Sequence, residues 1–233
     1  MAAINPRQSR FLSLLAISVA IVAIWQLPYG EYLLYPFTIL ATWCHELGHG
    51  LTALALGGRI ESLRLFADGS GLATHGGAGG GALGRALVAA GGPLGPPIAG
   101  ALFILASRRP RAARFCLVAL GVTLLGSGVL WIRSLFGLAA VAVLGGAVLV
   151  MSQGSPGTSQ TVGVQVLGAQ ACLSSFRQLG YLFTHHVVIA GRPMLSDSGQ
   201  IAESLFLPYW FWGGLMAAVA VVILVASLRA AAR

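Results

Sequence analysis

Residues 45–49 read His-Glu-Leu-Gly-His, an HExxH pattern inside an apolar run from Tyr35 to Leu56. On an α-helix, His45 and His49 lie four apart and share one face. Two imidazoles placed that way can hold one zinc ion. Glu46 beside them can serve as the base that takes a proton from a metal-activated water. Gly48 leaves room on the helix for something to approach. The pattern is short, and its surroundings sharpen it: Tyr35–Cys44 and Gly50–Leu56 contain no charged residue. Ionisable groups at membrane depth are expensive and functional by default. The competing reading is a polar cluster that only hydrogen-bonds neighbouring helices.

A catalytic zinc needs three protein ligands and one open position. A third histidine six residues after His49 is absent, because that position is Ala55. The acidic residues are Glu31, Glu46, Glu61, Asp68, Asp197 and Glu203, and the remaining histidines are His75, His185 and His186. Asp197, in Leu195–Gly199 at the start of the last apolar run, is the candidate third ligand. Its competing role is a helix N-cap, which Ser196 or Asp197 would fill. His185 and His186, in an apolar segment, are the competing ligands. Asp68 sits in Ala67-Asp68-Gly69-Ser70-Gly71 and reads as a turn residue. His75 lies in a glycine-rich linker and reads as solvated. Cys44, Cys116 and Cys172 lie in apolar segments without CxxC spacing and read as small buried residues. Cys44 precedes His45 by one position, so its side chain points about 100° away and is not a ligand.

The elements that must position these groups are apolar. The chain is 57% hydrophobic and 9% charged, against about 25% charged in soluble domains. Its net charge of +8 comes wholly from arginine, since lysine is absent. Most arginines flank apolar runs, where they meet phosphate headgroups. No aromatic-basic surface stretch points to nucleic acid.

Apolar runs span Phe11–Leu27, Tyr35–Leu56, Ala82–Ala106, Phe115–Leu130, Leu135–Met151, Val162–Ile189 and Ile201–Leu228. The first follows the short basic start Met1–Arg10, has no cleavage site after it and reads as a retained helix. The expected fold is an all-α polytopic membrane protein, a single domain over residues 1–233. It would have about six to seven transmembrane helices and a small β-hairpin after the HExxH helix. The hairpin is expected over Arg59–Thr74 and would offer a strand edge to an extended peptide. In Ala90–Gly100, three prolines and several glycines predict a broken backbone. Such a break would wall the cavity or kink a packing helix. Gly191–Gly199 reads as a loop.

These motifs together resemble the site-2 protease family, zinc metallopeptidases that cut inside membranes, and in particular a small peptidase-like membrane branch. The matching residues are His45–Gly50, Gly57-Gly58-Arg59, Asp68-Gly69-Ser70-Gly71, Gly92-Pro93-Leu94-Gly95-Pro96, Ser196-Asp197, and Pro208 with Trp210 or Trp212. The family's Leu-Asp-Gly is Ser-Asp-Ser-Gly here, and the Asn of its Gly-Pro-x-x-Asn element falls on Pro96. The resemblance implies Zn2+ held by His45, His49 and Asp197, with Glu46 as general base. It implies a multi-pass protein of the cell membrane whose substrate is a transmembrane segment of another protein. The alternatives are an inactive scaffold that retains a zinc site, and a metal or proton carrier using the same side chains.

Overall fold

The computed structural model describes residues 6–177 and 179–232. Met1–Asn5 of the basic start, and Arg233, lie outside the described residues. Helix α1 (Pro6–Trp25) turns through Leu27–Gly30 into α2 (Gly30–Ala55), which carries the HExxH segment. The pair is bent by 119°.

Strands β1 (Arg59–Leu65) and β2 (Gly71–Gly76) then form the expected antiparallel hairpin. A bulge between Ile60 and Ser62 shifts the alternation by one residue. Ile60, Leu63 and Leu65 all turn inward as a result, the last two with no exposed surface. The far side of β1 is covered as well. The Leu63 N–H donates to the Trp131 carbonyl at 2.8 Å, and the Arg133 N–H donates to the Leu63 carbonyl at 2.9 Å. His75 lies in β2 opposite Ile60, half-buried, rather than in a solvated linker.

Helix α3 (Gly81–Ala106) runs unbroken through Pro93, Pro96 and Pro97. The expected broken backbone is absent. Proline fixes φ near the helical value, and neighbouring helices re-satisfy freed backbone groups in such segments. The small residues of this stretch serve close packing. A methyl group on Gly48 would come within 2.2 Å of the Gly91 carbonyl, and one on Gly95 within 2.4 Å of the Cys44 carbonyl. The two helix backbones therefore touch.

Helices α4 (Pro110–Leu130), α5 (Leu135–Met151) and α6 (Thr158–Arg177) follow, then one turn, α7 (Leu179–Leu182). The Trp43 indole donates to Ser127 Oγ at 2.9 Å, tying α2 to α4. The next segment differs from the expected span. Val162–Ile189 is not one helix: its end forms β3 (His186–Ile189), paired antiparallel with β4 (Arg192–Leu195). Ala190 and Gly191, both at positive φ, make the two-residue turn. The supposed loop 191–199 is β4 plus the start of α8 (Asp197–Ser204). Helix α9 (Tyr209–Ala232) is separate, beginning just after Pro208.

By length and composition, three helices among the described residues can cross a membrane, α3, α4 and α9, or up to four crossings if the bent α1–α2 pair is one span. The expected six to seven spans are not reached on this measure. Helix α5 has 17 residues. Helix α6 buries Gln160, Gln165 and Gln170, and α2 carries the ionisable site. The described residues are mostly helical, with two small hairpins.

If the α2–α3 contact holds the fold, Gly48→Ala should destabilise the detergent-solubilised protein by about 1–3 kcal/mol. Gly146→Ala, whose methyl group would meet nothing within 4 Å, should leave the unfolding temperature unchanged or raise it. Thermal unfolding of both variants beside the wild type checks this; equal effects would refute the contact's importance.

Candidate metal centre and its cleft

Helix α2 presents His45 and His49 inward, both buried, with ring centroids 4.9 Å apart. Asp197 at the start of α8 meets them and is 1% exposed. His45 Nε2 lies 3.0 Å from Asp197 Oδ2, and His49 Nε2 lies 3.3 Å from Asp197 Oδ1. One ligand atom from each of the three residues falls within 4.8 Å of the others. Ligands around a tetrahedral zinc stand roughly 3.3 Å apart, so these separations suit one ion.

Ser196 and Asp197 divide the two roles the sequence left open. Ser196 is the N-cap: its Oγ accepts from the Gly199 N–H at 3.0 Å and donates to the Thr184 carbonyl. The carboxylate of Asp197 is thereby free to face the histidines. His185 and His186 pair with each other instead, Nδ1 to Nδ1 at 3.1 Å. His185 also faces Tyr209 and stands 3.9 Å from Glu203, an acidic neighbour not apparent from the sequence.

Whether this group suits a metal can be judged from its unsatisfied atoms. Asp197 Oδ2 is fully buried and, among the described residues, has no hydrogen-bond partner. It lies 3.0 Å from His45 Nε2, a spacing that two ligands of one ion would take. His49 Nδ1 lies 2.7 Å from the Val88 carbonyl of α3. A ring that donates there carries its lone pair on Nε2, toward Asp197, and a backbone carbonyl is a common orienting partner for a metal-binding histidine. Gly92 faces the same atoms: a methyl group there would lie 2.1 Å from His49 Nε2 and 2.8 Å from His45 Nε2. The residues fit a zinc ion.

Glu46 is also buried. The hairpin closes over it. A methyl group on Gly71 would meet Glu46 Cγ and Oε1, each at 2.7 Å. The hairpin tip is pinned to α2 by two further bonds. Thr42 Oγ1 donates to the Gly69 carbonyl at 2.7 Å, and the Tyr35 hydroxyl to the Ala67 carbonyl at 2.7 Å. Tyr35 thus has a structural partner in the hairpin. Asp68 is the turn residue expected: its Oδ1 accepts from the Ser70 hydroxyl and amide, which hold the carboxyl below the usual range.

A cleft of about 440 Å³ opens beside these groups. Its walls are Thr42, His45 and Glu46 of α2, the hairpin tip Gly69–Gly71, Tyr181 and Thr184, and strand β3. The Tyr181 ring stands edge-on to His45, with centroids 6.0 Å apart. Sequence reasoning missed Tyr181 and Thr42. Thr42 had a signal, since 42, 45, 46 and 49 follow one helical face. Tyr181 had none.

A buried group of two histidines and one carboxylate with a glutamate beside it, in a chain with apolar helices long enough to span a bilayer, is an arrangement that suits a metal site within a membrane protein. Residues 14–227 match the Peptidase M50B-like family. The chain belongs to that family, which is the site-2 protease family, and it is an integral membrane protein. No curated protein and no solved structure matches the chain.

The geometry predicts about one zinc per purified chain, lost in His45→Ala and Asp197→Ala and retained in a His185/His186 double alanine. Gly92→Ala should also lower zinc content, because its methyl group takes the ligands' space. Elemental analysis of the folded variants decides; zinc lost only in the double-histidine variant would remove Asp197 from the site.

Proposed function

We propose that this protein is a multi-pass zinc endopeptidase of the cell membrane that hydrolyses peptide bonds in transmembrane segments of other proteins. The observation that carries the reading is the orphaned, buried Oδ2 of Asp197 at 3.0 Å from His45 Nε2, beside a glutamate that lines an open cleft. His45, His49 and Asp197 hold the ion. When bound, zinc polarises the scissile carbonyl and lowers the pKa of its water toward about 7.

The chain's own groups do the rest. Glu46 takes the proton of the attacking water and returns it to the leaving amine. Burial keeps the site from bulk water and strengthens these charges. A transmembrane helix hides its carbonyls in its own hydrogen bonds, so it must unwind before cleavage. The outer edge of β2 lies along Glu46 and can receive the unwound segment as an added strand.

Glu46→Gln keeps the shape and zinc affinity of the site but removes the base. In cells expressing the wild type, membrane proteins should yield fragments with new termini inside their transmembrane segments. With Glu46→Gln those fragments should fall by about a hundredfold or more at unchanged zinc content. Terminal proteomics of the membrane fraction reads this out. Equal fragment levels in both would favour a zinc-bearing scaffold, and zinc-dependent flux in liposomes would favour a carrier.

A further inference from the structure

The cleft has two strand edges, and the second belongs to a hairpin with no assigned role. The Ser196 N–H donates to the His185 carbonyl at 3.0 Å, which marks 185–196 as a hydrogen-bonded pair. Antiparallel pairs alternate. With the observed register, Val187–Met194 and Ile189–Arg192 are then the other bonded pairs. The N–H and C=O groups of His186 and Val188 therefore point away from β4, to the outer edge of β3. Pro193 stands opposite Val188. It has no N–H, as that non-bonded position allows, and it leaves the outer edge of β4 short of a donor. The hairpin thus has one guarded edge and one open edge.

The open edge is the one at the cleft. His186, Val187, Val188 and Ile189 all line it, and no residue of β4 does. Among the described residues, β3 pairs with β4 alone. Across the cleft, β2 shows the complementary pattern. Leu63 and Leu65 turn their backbone groups toward Trp131, Arg133 and Ser134. Their partners Gly71 and Ala73 consequently face the outer edge of β2, where Glu46 lies.

We infer that β3 is the second rail of the substrate cleft: an extended apolar peptide segment pairs with β2 along one edge and with His186 and Val188 of β3 along the other. This rests on the peptidase reading above. A strand has two edges, and pairing on both satisfies the backbone groups that an unwound segment exposes. Inside a bilayer nothing else would satisfy them. Val187 and Ile189 make the wall apolar, matched to the side chains of a transmembrane segment. Val188 is 70% exposed, although β-branched side chains ordinarily pack on a pleated surface.

The test uses the full-length zinc-loaded protein and two probes, acetohydroxamate, which reaches only the metal, and an apolar tripeptide hydroxamate, which also fills the cleft. Val188→Pro removes the outer-edge N–H without touching a β3–β4 bond. It should weaken the tripeptide hydroxamate about five- to tenfold and leave zinc content and acetohydroxamate affinity unchanged. Val188→Ala, which keeps the N–H, should stay within about twofold.

Wild-type hydrogen exchange gives a readout that needs no variant. The amides of His186 and Val188 should gain protection with the tripeptide hydroxamate and not with acetohydroxamate. No gain in protection overturns the proposal. So does protection already present in the free protein, as from a second copy paired on β3, or equal weakening by Val188→Ala. If wild type holds no zinc or binds neither hydroxamate, the peptidase reading itself fails, and the occupant proposed here fails with it.

Discussion

The site depends on how closely α2 and α3 approach. A histidine that binds metal is ordinarily oriented through its second nitrogen, and His49 Nδ1 lies against a backbone carbonyl, that of Val88 on α3. That reach of 2.7 Å is possible because the helices meet at glycine. Gly48 lies against Gly91, and Gly95 against Cys44. In lipid, where apolar surface gives no drive for helices to associate, close packing of small residues supplies the attraction. One contact therefore both joins the helices and orients the imidazole. Gly92, on the same stretch of α3, leaves the space the ligand atoms occupy.

Asp197 reaches this place from far along the chain, and its position is fixed locally. Ser196 takes the capping role and also donates to the Thr184 carbonyl. The β3–β4 pairing sets the path of the chain into Ser196. The carboxylate then enters the site with Oδ2 unpaired, an arrangement that a buried oxygen tolerates only if another partner is supplied. The two hairpins thus have different relations to the metal group. The first covers Glu46 and is bonded to α2 by Thr42 and Tyr35; the second delivers Asp197 and walls the cleft.

The sequence by itself determined which groups could do chemistry and the apolar neighbourhood they sit in. HExxH at helical spacing puts two imidazoles on one face whatever the fold. The turn residues Asp68–Gly71 demanded the first hairpin. The scarcity of acidic residues narrowed the third ligand to a few, Asp197 among them. Tertiary structure brought Asp197, and not the His185–His186 pair, up to His45 and His49, because only packing brings an α8 carboxylate to α2. It also decided the course of Ala90–Gly100. Proline counts against an isolated helix, yet its φ is helical, and neighbouring helices can compensate for the lost bonds. The second hairpin was hidden because a short Val-Val-Ile run is apolar in strand and helix alike. The partner of His49 was hidden for a simpler reason: it is a main-chain carbonyl, which every residue carries and no side-chain pattern announces.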